Sequence, residues 1–209
     1  KKFEAAKYYA YLIQEGLRDY RVFSNYGTFL KETGNYKQAE IELNKAISLN
    51  PRYSNAHYNL AGLLIDIGNL QKAEIHLREA ISLNPDFAIA HYNLGFILKD
   101  LGNIEEAEFY TQNAININPE FTDAYFSLST MQNQNKNQKW HDKLFSEGLL
   151  KNKDNREILN ILFARSNILH KKNKFKDSAE NLIAANNLKL KIHKSEANLL
   201  IDKTRKLKI

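Results

Sequence analysis

Three asparagines recur at one position of a repeated sequence and could bind the backbone of another polypeptide. Asn25, Asn59 and Asn93 are each separated by 34 residues. A primary amide offers both a donor and an acceptor, so it can pair with a peptide group whatever side chain that group carries. If each asparagine lies on its own helix, packed helices place successive amides about 10 Å apart. An extended chain covers that distance in about three residues, so the spacing predicts an asparagine ladder for an extended ligand.

Aromatic side chains accompany the asparagines at helical spacing. Tyr58, Tyr92, Phe96 and Phe126 fall on the same predicted helix faces as the ladder. Aromatic residues anchor partners because they bury a large area while few rotatable bonds become fixed. Packing between adjacent helices would use the same residues, and the sequence leaves both roles open.

Residue patterns that support catalysis or metal binding do not occur in this sequence. The chain has no cysteine, and it lacks the His-Glu-x-x-His, Gly-x-Ser-x-Gly and Gly-x-x-x-x-Gly-Lys patterns. His57 and His91 each open a His-Tyr-Asn-Leu segment, and we expect both to be core packing residues and not metal ligands. The sequence therefore predicts no catalytic residue, no metal site and no cofactor, and a protein that is not an enzyme.

Composition and charge narrow the classes of partner. Hydrophobic residues make up 43% of the 209 residues, and no apolar run approaches the roughly 20 residues of a membrane span. Residues 1–119 carry 12 Lys and Arg against 14 Asp and Glu, whereas residues 120–209 carry 18 against 10. This positive charge is thin and not interleaved with aromatics, so we expect a solvated surface and no nucleic-acid or membrane partner. The lack of cysteine suits a reducing cytoplasm, which is the expected location.

A 34-residue repeat organises these candidate residues. The three prolines of the chain, Pro51, Pro85 and Pro119, are 34 residues apart. The segments NYGTFLKETGNYKQAEIELNKAISLNP, NLAGLLIDIGNLQKAEIHLREAISLNP and NLGFILKDLGNIEEAEFYTQNAININP are one unit written three times. Glycines and two sets of alanines recur in the same register: Gly34, Gly68 and Gly102; Ala39, Ala73 and Ala107; Ala46, Ala80 and Ala114.

Each unit reads as two helices, here called A and B. Helix A ends at a Gly-Asn pair, because glycine can take the left-handed conformation that closes a helix and asparagine can cap the next one. Helix B ends at Asn-Pro, because the residue before proline is displaced from the α region. Small residues at Gly27, Ala61 and Gly95 predict a close approach of helix A to helix B. A single helix pair cannot bury its apolar face, so the units must stack.

The repeat resembles the tetratricopeptide repeat (TPR) family. The resemblance implies an all-α fold, an α-solenoid of antiparallel helix pairs wound into a right-handed superhelix, with about 11 helices. It also implies a concave groove, lined by the A helices, that takes up peptides or partner proteins. The three asparagines resemble the ladder of O-GlcNAc transferases, although Asn-Leu-Gly is common in such repeats whatever they bind. The clamp by which some family members bind chaperone tails needs lysines, an arginine and asparagines at set groove positions. This chain has Ser24, Thr28, Ile89 and Asn93 there, so the resemblance disfavours that class of partner.

The register predicts the following segments and groove residues. We expect a half repeat with helix B alone at 1–17, repeats at 20–53, 54–87 and 88–121, a degenerate helix pair at 122–154, a TPR-like pair at 155–187 and a basic C-terminal helix at 188–209. Trp140 is expected to fill the core of the degenerate pair. The predicted peptide-binding groove consists of Asn25, Thr28, Asn55, Tyr58, Asn59, Tyr92, Asn93, Phe96, Lys99 and Phe126.

Three functions remain open from the sequence. The first is a non-catalytic scaffold that binds a protein or peptide ligand in the groove. The second is a substrate-recruiting arm of a larger transferase of the sulfotransferase or glycosyltransferase type. This interpretation is favoured because FARSNILHKKNKFKDSAENLIAANNLK resembles the segment that links repeats to a sulfotransferase domain in some bacterial proteins. Arg165 and Ser166 depart from that segment, and any catalytic domain would lie beyond Ile209. The third is a homodimer formed through exposed repeat edges.

Overall fold

The computed structural model describes residues 2–131 and 139–206, with side chains at 3–131 and 140–194. This part of the chain contains eleven α-helices and a short 3-10 helix at Glu147–Leu150, which confirms the predicted all-α solenoid of helix pairs. The helices form two compact units, residues 1–117 and 118–209. The α-helices are α1 (Lys2–Gln14), α2 (Tyr20–Glu32), α3 (Tyr36–Leu49), α4 (Ser54–Asp66), α5 (Leu70–Leu83), α6 (Ala88–Asp100), α7 (Ile104–Ile117), α8 (Thr122–Thr130), α9 (Lys139–Leu144), α10 (Asn155–Lys171) and α11 (Phe175–Lys206).

In residues 1–117, each A helix packs against the B helix that follows it. The pairs are α2 with α3, α4 with α5, and α6 with α7; the B helices α3 and α5 also contact the A helices that follow them, α4 and α6. The repeated alanines lie at these contacts and are fully buried, which lets the backbones approach closely. Leucines that recur at one position of the B helices and at one position of the A helices are also buried, so the core continues from one helix pair to the next. They are Leu43 and Leu77 on B helices and Leu60 and Leu94 on A helices.

The ends of the A helices follow the predicted glycine signal, but the asparagine signal holds only in part. Gly34, Gly68 and Gly102 have φ values of +79°, +78° and +85°, the left-handed region that closes a helix. The side chain of Asn69 accepts a hydrogen bond from the backbone N–H of Lys72 at 3.4 Å and caps α5. The prediction was wrong for Asn35, whose side chain makes no capping hydrogen bond to α3.

One buried position of helix A is tied to the Asn-Pro turn before it. The Nε2 atoms of His57 and His91 are hydrogen-bonded to the carbonyl oxygens of Pro51 and Pro85, respectively, each at 2.9 Å. Both imidazoles are buried, so these two histidines are packing residues, as predicted. In residues 118–209 the equivalent residue is Tyr125, whose hydroxyl donates to the Pro119 carbonyl at 3.0 Å.

Residues 118–209 depart from the regular stacking. Helix α8 packs directly against α10, and α10 packs against α11. The six-residue α9 carries Trp140, which is buried with its ring centroid 6.3 Å from that of Tyr125, as its predicted core role requires. Helix α11 continues without a break to Lys206, so the basic segment after residue 187 extends the helix before it. Residues 132–138 and 207–209, which belong to two predicted segments, lie outside the described residues.

Polar contacts hold α8, α10 and α11 in place. Asn160 donates to the carboxylate of Asp123 at 3.1 Å, and Asn167 donates to the Ser129 hydroxyl at 3.0 Å. Ser166 and Ser178 are buried, and each hydroxyl donates to the backbone carbonyl of the other, at 3.0 and 2.9 Å. None of the helices in the described part of the chain is long and apolar enough to span a membrane.

Candidate peptide-binding groove

The A helices α2, α4 and α6 line a groove of about 490 Å3. Six of its eleven lining residues are polar or charged and three are aromatic, and they come from three successive repeats. Because side chains three and four residues apart share one helix face, each helix contributes residues from a single stripe. The lining residues are Thr28, Lys31, Glu32, Tyr58, Asn59, Gly62, Ile65, Asp66, Tyr92, Asn93 and Phe96.

Two of the three ladder asparagines, Asn59 and Asn93, are hydrogen-bonded between repeats. The Asn59 amide donates from Nδ2 to the hydroxyl of Ser24 at 3.0 Å, and the Asn93 amide donates to the hydroxyl of Tyr58 at 3.4 Å. Each bond joins residues 35 positions apart, so it links one A helix to the next. A primary amide has two N–H donors and a carbonyl acceptor. One donor of each amide is used within the protein, which leaves the other donor and the carbonyl oxygen for a ligand.

Tyr58 lies at the centre of this network. Its ring centroid is 4.9 Å from that of Phe87, and its hydroxyl accepts the bond from Asn93. Burial raises the pKa of the Tyr58 hydroxyl, and the Asn93 bond offsets part of that rise. The hydroxyl therefore stays neutral and remains able to donate its proton.

A cross-repeat ion pair stands beside the aromatic lining. Lys31 Nζ is 3.4 Å from Asp66 Oδ2, and both side chains remain partly exposed. A Cβ on Gly62 would lie 3.5 Å from Lys31 Nζ, so the missing side chain leaves room for the lysine to cross the groove. With Glu32 also in the lining, the groove carries one cation, Lys31, and two carboxylates, so its formal charge is only one unit negative.

A second recess of about 370 Å3 adjoins the groove. Asn25 lies here, together with Tyr9 of α1 and Phe29 of α2. Thr28 and Asn59 line both spaces, so the recess and the groove share a wall. The three ladder positions therefore follow one continuous surface within residues 1–117.

The structure brings most of the predicted groove residues together, but not all of them. Asn55 is exposed outside both spaces and donates to the Tyr53 hydroxyl at 3.3 Å. Lys99 is half-buried and is not part of either lining. Phe126 lies on α8 in residues 118–209, with its ring centroid 6.2 Å from that of Phe163. The remaining predicted residues line the groove or the recess: Asn25, Thr28, Tyr58, Asn59, Tyr92, Asn93 and Phe96.

Several lining residues were not among the predicted groove residues. Lys31, Glu32 and Asp66 occupy the last turn of their A helices, on the face that helix periodicity assigns to the groove. Tyr9 and Phe29 have no such signal, because they reach the recess only through the way α1 packs against α2.

Family models match the repeats along the sequence. Models described as tetratricopeptide repeat match residues 30–78 and residues 88–121, and a model described as TPR repeat matches residues 63–102. A search of curated proteins gave no match to this chain.

Solved structures of other repeat proteins share the fold. A structure of MamA is 20% identical in sequence, with a TM-score of 0.56, covering 90% of this chain and 89% of that chain. MamA 41-end from Desulfovibrio magneticus RS-1 is 19% identical, with a TM-score of 0.57, covering 91% and 86%. The first TPR of Spaghetti (RPAP3), bound to the HSP90 peptide SRMEEVD, is 20% identical, with a TM-score of 0.51, covering 54% and 93%. The repeat period, the helix pairs and the family matches agree, and the chain is a tetratricopeptide repeat protein.

Proposed function

We propose that this chain is a non-catalytic scaffold that holds an extended segment of another protein in the groove of its A helices. The observation that carries the proposal is the continuous surface of ladder amides and aromatic rings across three repeats. The fold similarity to a TPR structure with a bound peptide supports a protein or peptide as the partner.

The groove suits an extended chain for two physical reasons. Its free amide groups repeat at the helix spacing of about 10 Å, close to the length of three extended residues. Tyr58, Tyr92 and Phe96 line the same groove as Asn59 and Asn93 and offer apolar contact area for side chains of the ligand. A ligand would then be held through its backbone by the amides and through some of its side chains by the rings.

The charge of the groove favours a ligand without a strong net charge. One lysine and two carboxylates line it, and the lysine is already paired with Asp66. This arrangement differs from the lysine- and arginine-rich clamp that binds acidic chaperone tails. An acidic tail peptide is therefore expected to bind weakly.

The experiment is a selection of binding peptides from a random 12-residue library, followed by affinity measurement by fluorescence anisotropy. Replacing Asn25, Asn59 and Asn93 by Ala should weaken the selected peptides about tenfold or more, because each amide contributes about 1 kcal/mol of hydrogen bonding. The same variant should lose some stability, since Asn59 and Asn93 also bond Ser24 and Tyr58. Circular dichroism melting would confirm that the variant is folded at the temperature of the binding assay.

A matched control replaces asparagines on the B helices. Asn44 and Asn116 are exposed and lie outside the groove, so the double variant with Ala at both positions should bind the peptides normally. Equal affinities for the ladder variant and the wild type would refute groove binding through the amides. The second function, a substrate-recruiting arm of a larger transferase, stays a prediction, as does a cytoplasmic location.

A further inference from the structure

Three large apolar side chains are exposed at the same position of three successive B helices. Ile41, Ile75 and Phe109 are 34 residues apart, on α3, α5 and α7, and expose 51%, 65% and 60% of their surfaces. We call these three residues the outer stripe. None of them lines the groove or the adjoining recess, so the proposed peptide site does not account for them.

The regular spacing separates the outer stripe from ordinary surface apolar residues. Single exposed apolar side chains are common on proteins and need no explanation. Here the repeat itself places all three at one register, so they follow one another across the B helices. Arg78 links α5 to α7 on this surface. Its guanidinium donates to the carboxylate of Glu106 at 2.8 Å and to the Tyr110 hydroxyl at 3.0 Å. Two of the three stripe residues therefore stand on helices joined by a polar bridge.

The charges beside the outer stripe differ at its two ends. Lys37 lies four residues before Ile41, and Glu105 lies four residues before Phe109, so each shares a helix face with its stripe residue. Both side chains are exposed. The α3 end is thus positive and the α7 end is negative, at equivalent positions of their helices.

This arrangement is complementary to itself. Consider a second copy of the chain related to the first by a two-fold axis. The axis lies in the interface, parallel to the B helices, and passes through Ile75. The repeats of the second copy then run in the opposite order to those of the first. Ile41 would then meet Phe109 of a second copy, Ile75 would meet its own counterpart, and Lys37 would approach Glu105. Such a contact uses the same patch on both copies, as two-fold dimers do.

We propose that the outer stripe is a self-association surface on which a second copy of this chain docks about that axis. The surface differs from the exposed repeat edges that the sequence suggests for a homodimer. Three side chains are too few for the about 800 Å2 that each partner buries in a standard interface. The dimer should therefore form reversibly, and become populated only as concentration rises.

The test is sedimentation velocity of the whole chain over a concentration series, at low and high ionic strength. The wild type should shift from monomer to dimer, less readily at high salt because salt screens the Lys37–Glu105 contacts. Ile75→Glu should raise the dissociation constant about tenfold or more, because two carboxylates would meet at the axis. Ile183→Glu is the matched control, since Ile183 is 59% exposed on α11 outside the stripe; it should leave the dimer unchanged.

A charge exchange identifies the partner as a second copy. Lys37→Glu and Glu105→Lys should each raise the dissociation constant about threefold, since each places like charges across the contact. The two substitutions together should return it to within about twofold of the wild-type value. A chain that stays monomeric at all concentrations would overturn the proposal. So would a dimer that Ile75→Glu does not weaken, or a double variant whose losses simply add.

Discussion

Replacing Gly95 by Ala should destabilise the protein, although alanine is the better helix former. Gly95 lies in the middle of α6, where the helix meets α7. A Cβ at this position would come within 2.3 Å of Thr111 Oγ1, 2.9 Å of the Ala107 carbonyl oxygen and 3.1 Å of the Thr111 nitrogen. Two of these atoms belong to the backbone, so the clash can be relieved only if α6 and α7 move apart.

The size of the effect follows from two opposing contributions. Alanine in place of glycine within a helix stabilises by about 1 kcal/mol. Overpacking a buried contact costs about 1–3 kcal/mol, and turning Thr111 away would also break its 2.8 Å bond to the Ala107 carbonyl, at about 1 kcal/mol more. The net expectation is a loss of about 2 kcal/mol in the free energy of unfolding.

Urea unfolding followed by circular dichroism measures this difference, and Gly62→Ala is its control. Gly62 is also within an A helix, but a Cβ there would meet only the flexible end of Lys31 at 3.5 Å. That variant should gain about 0.5–1 kcal/mol from helix propensity alone. For a slope of about 2 kcal/mol per molar urea, the Gly95 variant should unfold about 1 M earlier than the wild type.

The clash itself can be tested with a second substitution. Thr111→Ala removes the nearest clashing atom, so Gly95→Ala should cost less in that background than in the wild type. A Gly95→Ala variant as stable as the wild type would refute the reasoning, because it would show that the two helices separate at no cost. Equal losses at Gly95 and Gly62 would refute it as well, since the helix contact would then not matter.

Two further predictions concern residues 118–209. Burial and the nearby Lys172 and Lys171, opposed by Asp142, lower the pKa of His141 to about 4. As pH falls, the unfolded chain therefore takes up a proton on this histidine before the folded protein does. The contribution of the neutral His141 to the free energy of unfolding should be complete above about pH 6.5 and should decline towards pH 4. Allowing for partial screening by solvent, the free energy of unfolding should be about 1 kcal/mol lower at pH 4.5 than above pH 6.5. In thermal melts across a pH series, His141→Phe should flatten this pH dependence. An unchanged pH profile in that variant would contradict the role given to His141. Asp154 and Glu157 form a capping box at the start of α10, so Asp154→Ala should lower the free energy of unfolding in urea by about 1 kcal/mol. Asp142→Ala is the control and should cost less. An equal cost in the two variants would argue against the cap.

The sequence determined the repeat and its helix ends because their signals are local. A glycine that closes an A helix needs only its own left-handed conformation, and Gly34, Gly68 and Gly102 adopt it. Helical periodicity likewise predicted which faces carry Tyr58, Asn59 and Asn93, because a side chain's direction on a helix depends on its position in the turn. The 34-residue period then predicted stacking, since a lone helix pair leaves its apolar face exposed.

Only the tertiary structure decided which distant residues meet. The bond between Asn59 and Ser24 and the ion pair between Lys31 and Asp66 each join residues 35 positions apart, so they depend on how the A helices pack. The same holds for α8, which packs on α10 where the repeat pattern weakens. Asn35 shows the limit of a local signal, because a capping residue acts only if its side chain turns towards the helix. Local patterns fix the conformation of each helix, whereas contacts across the stack depend on distances and angles that no single segment encodes.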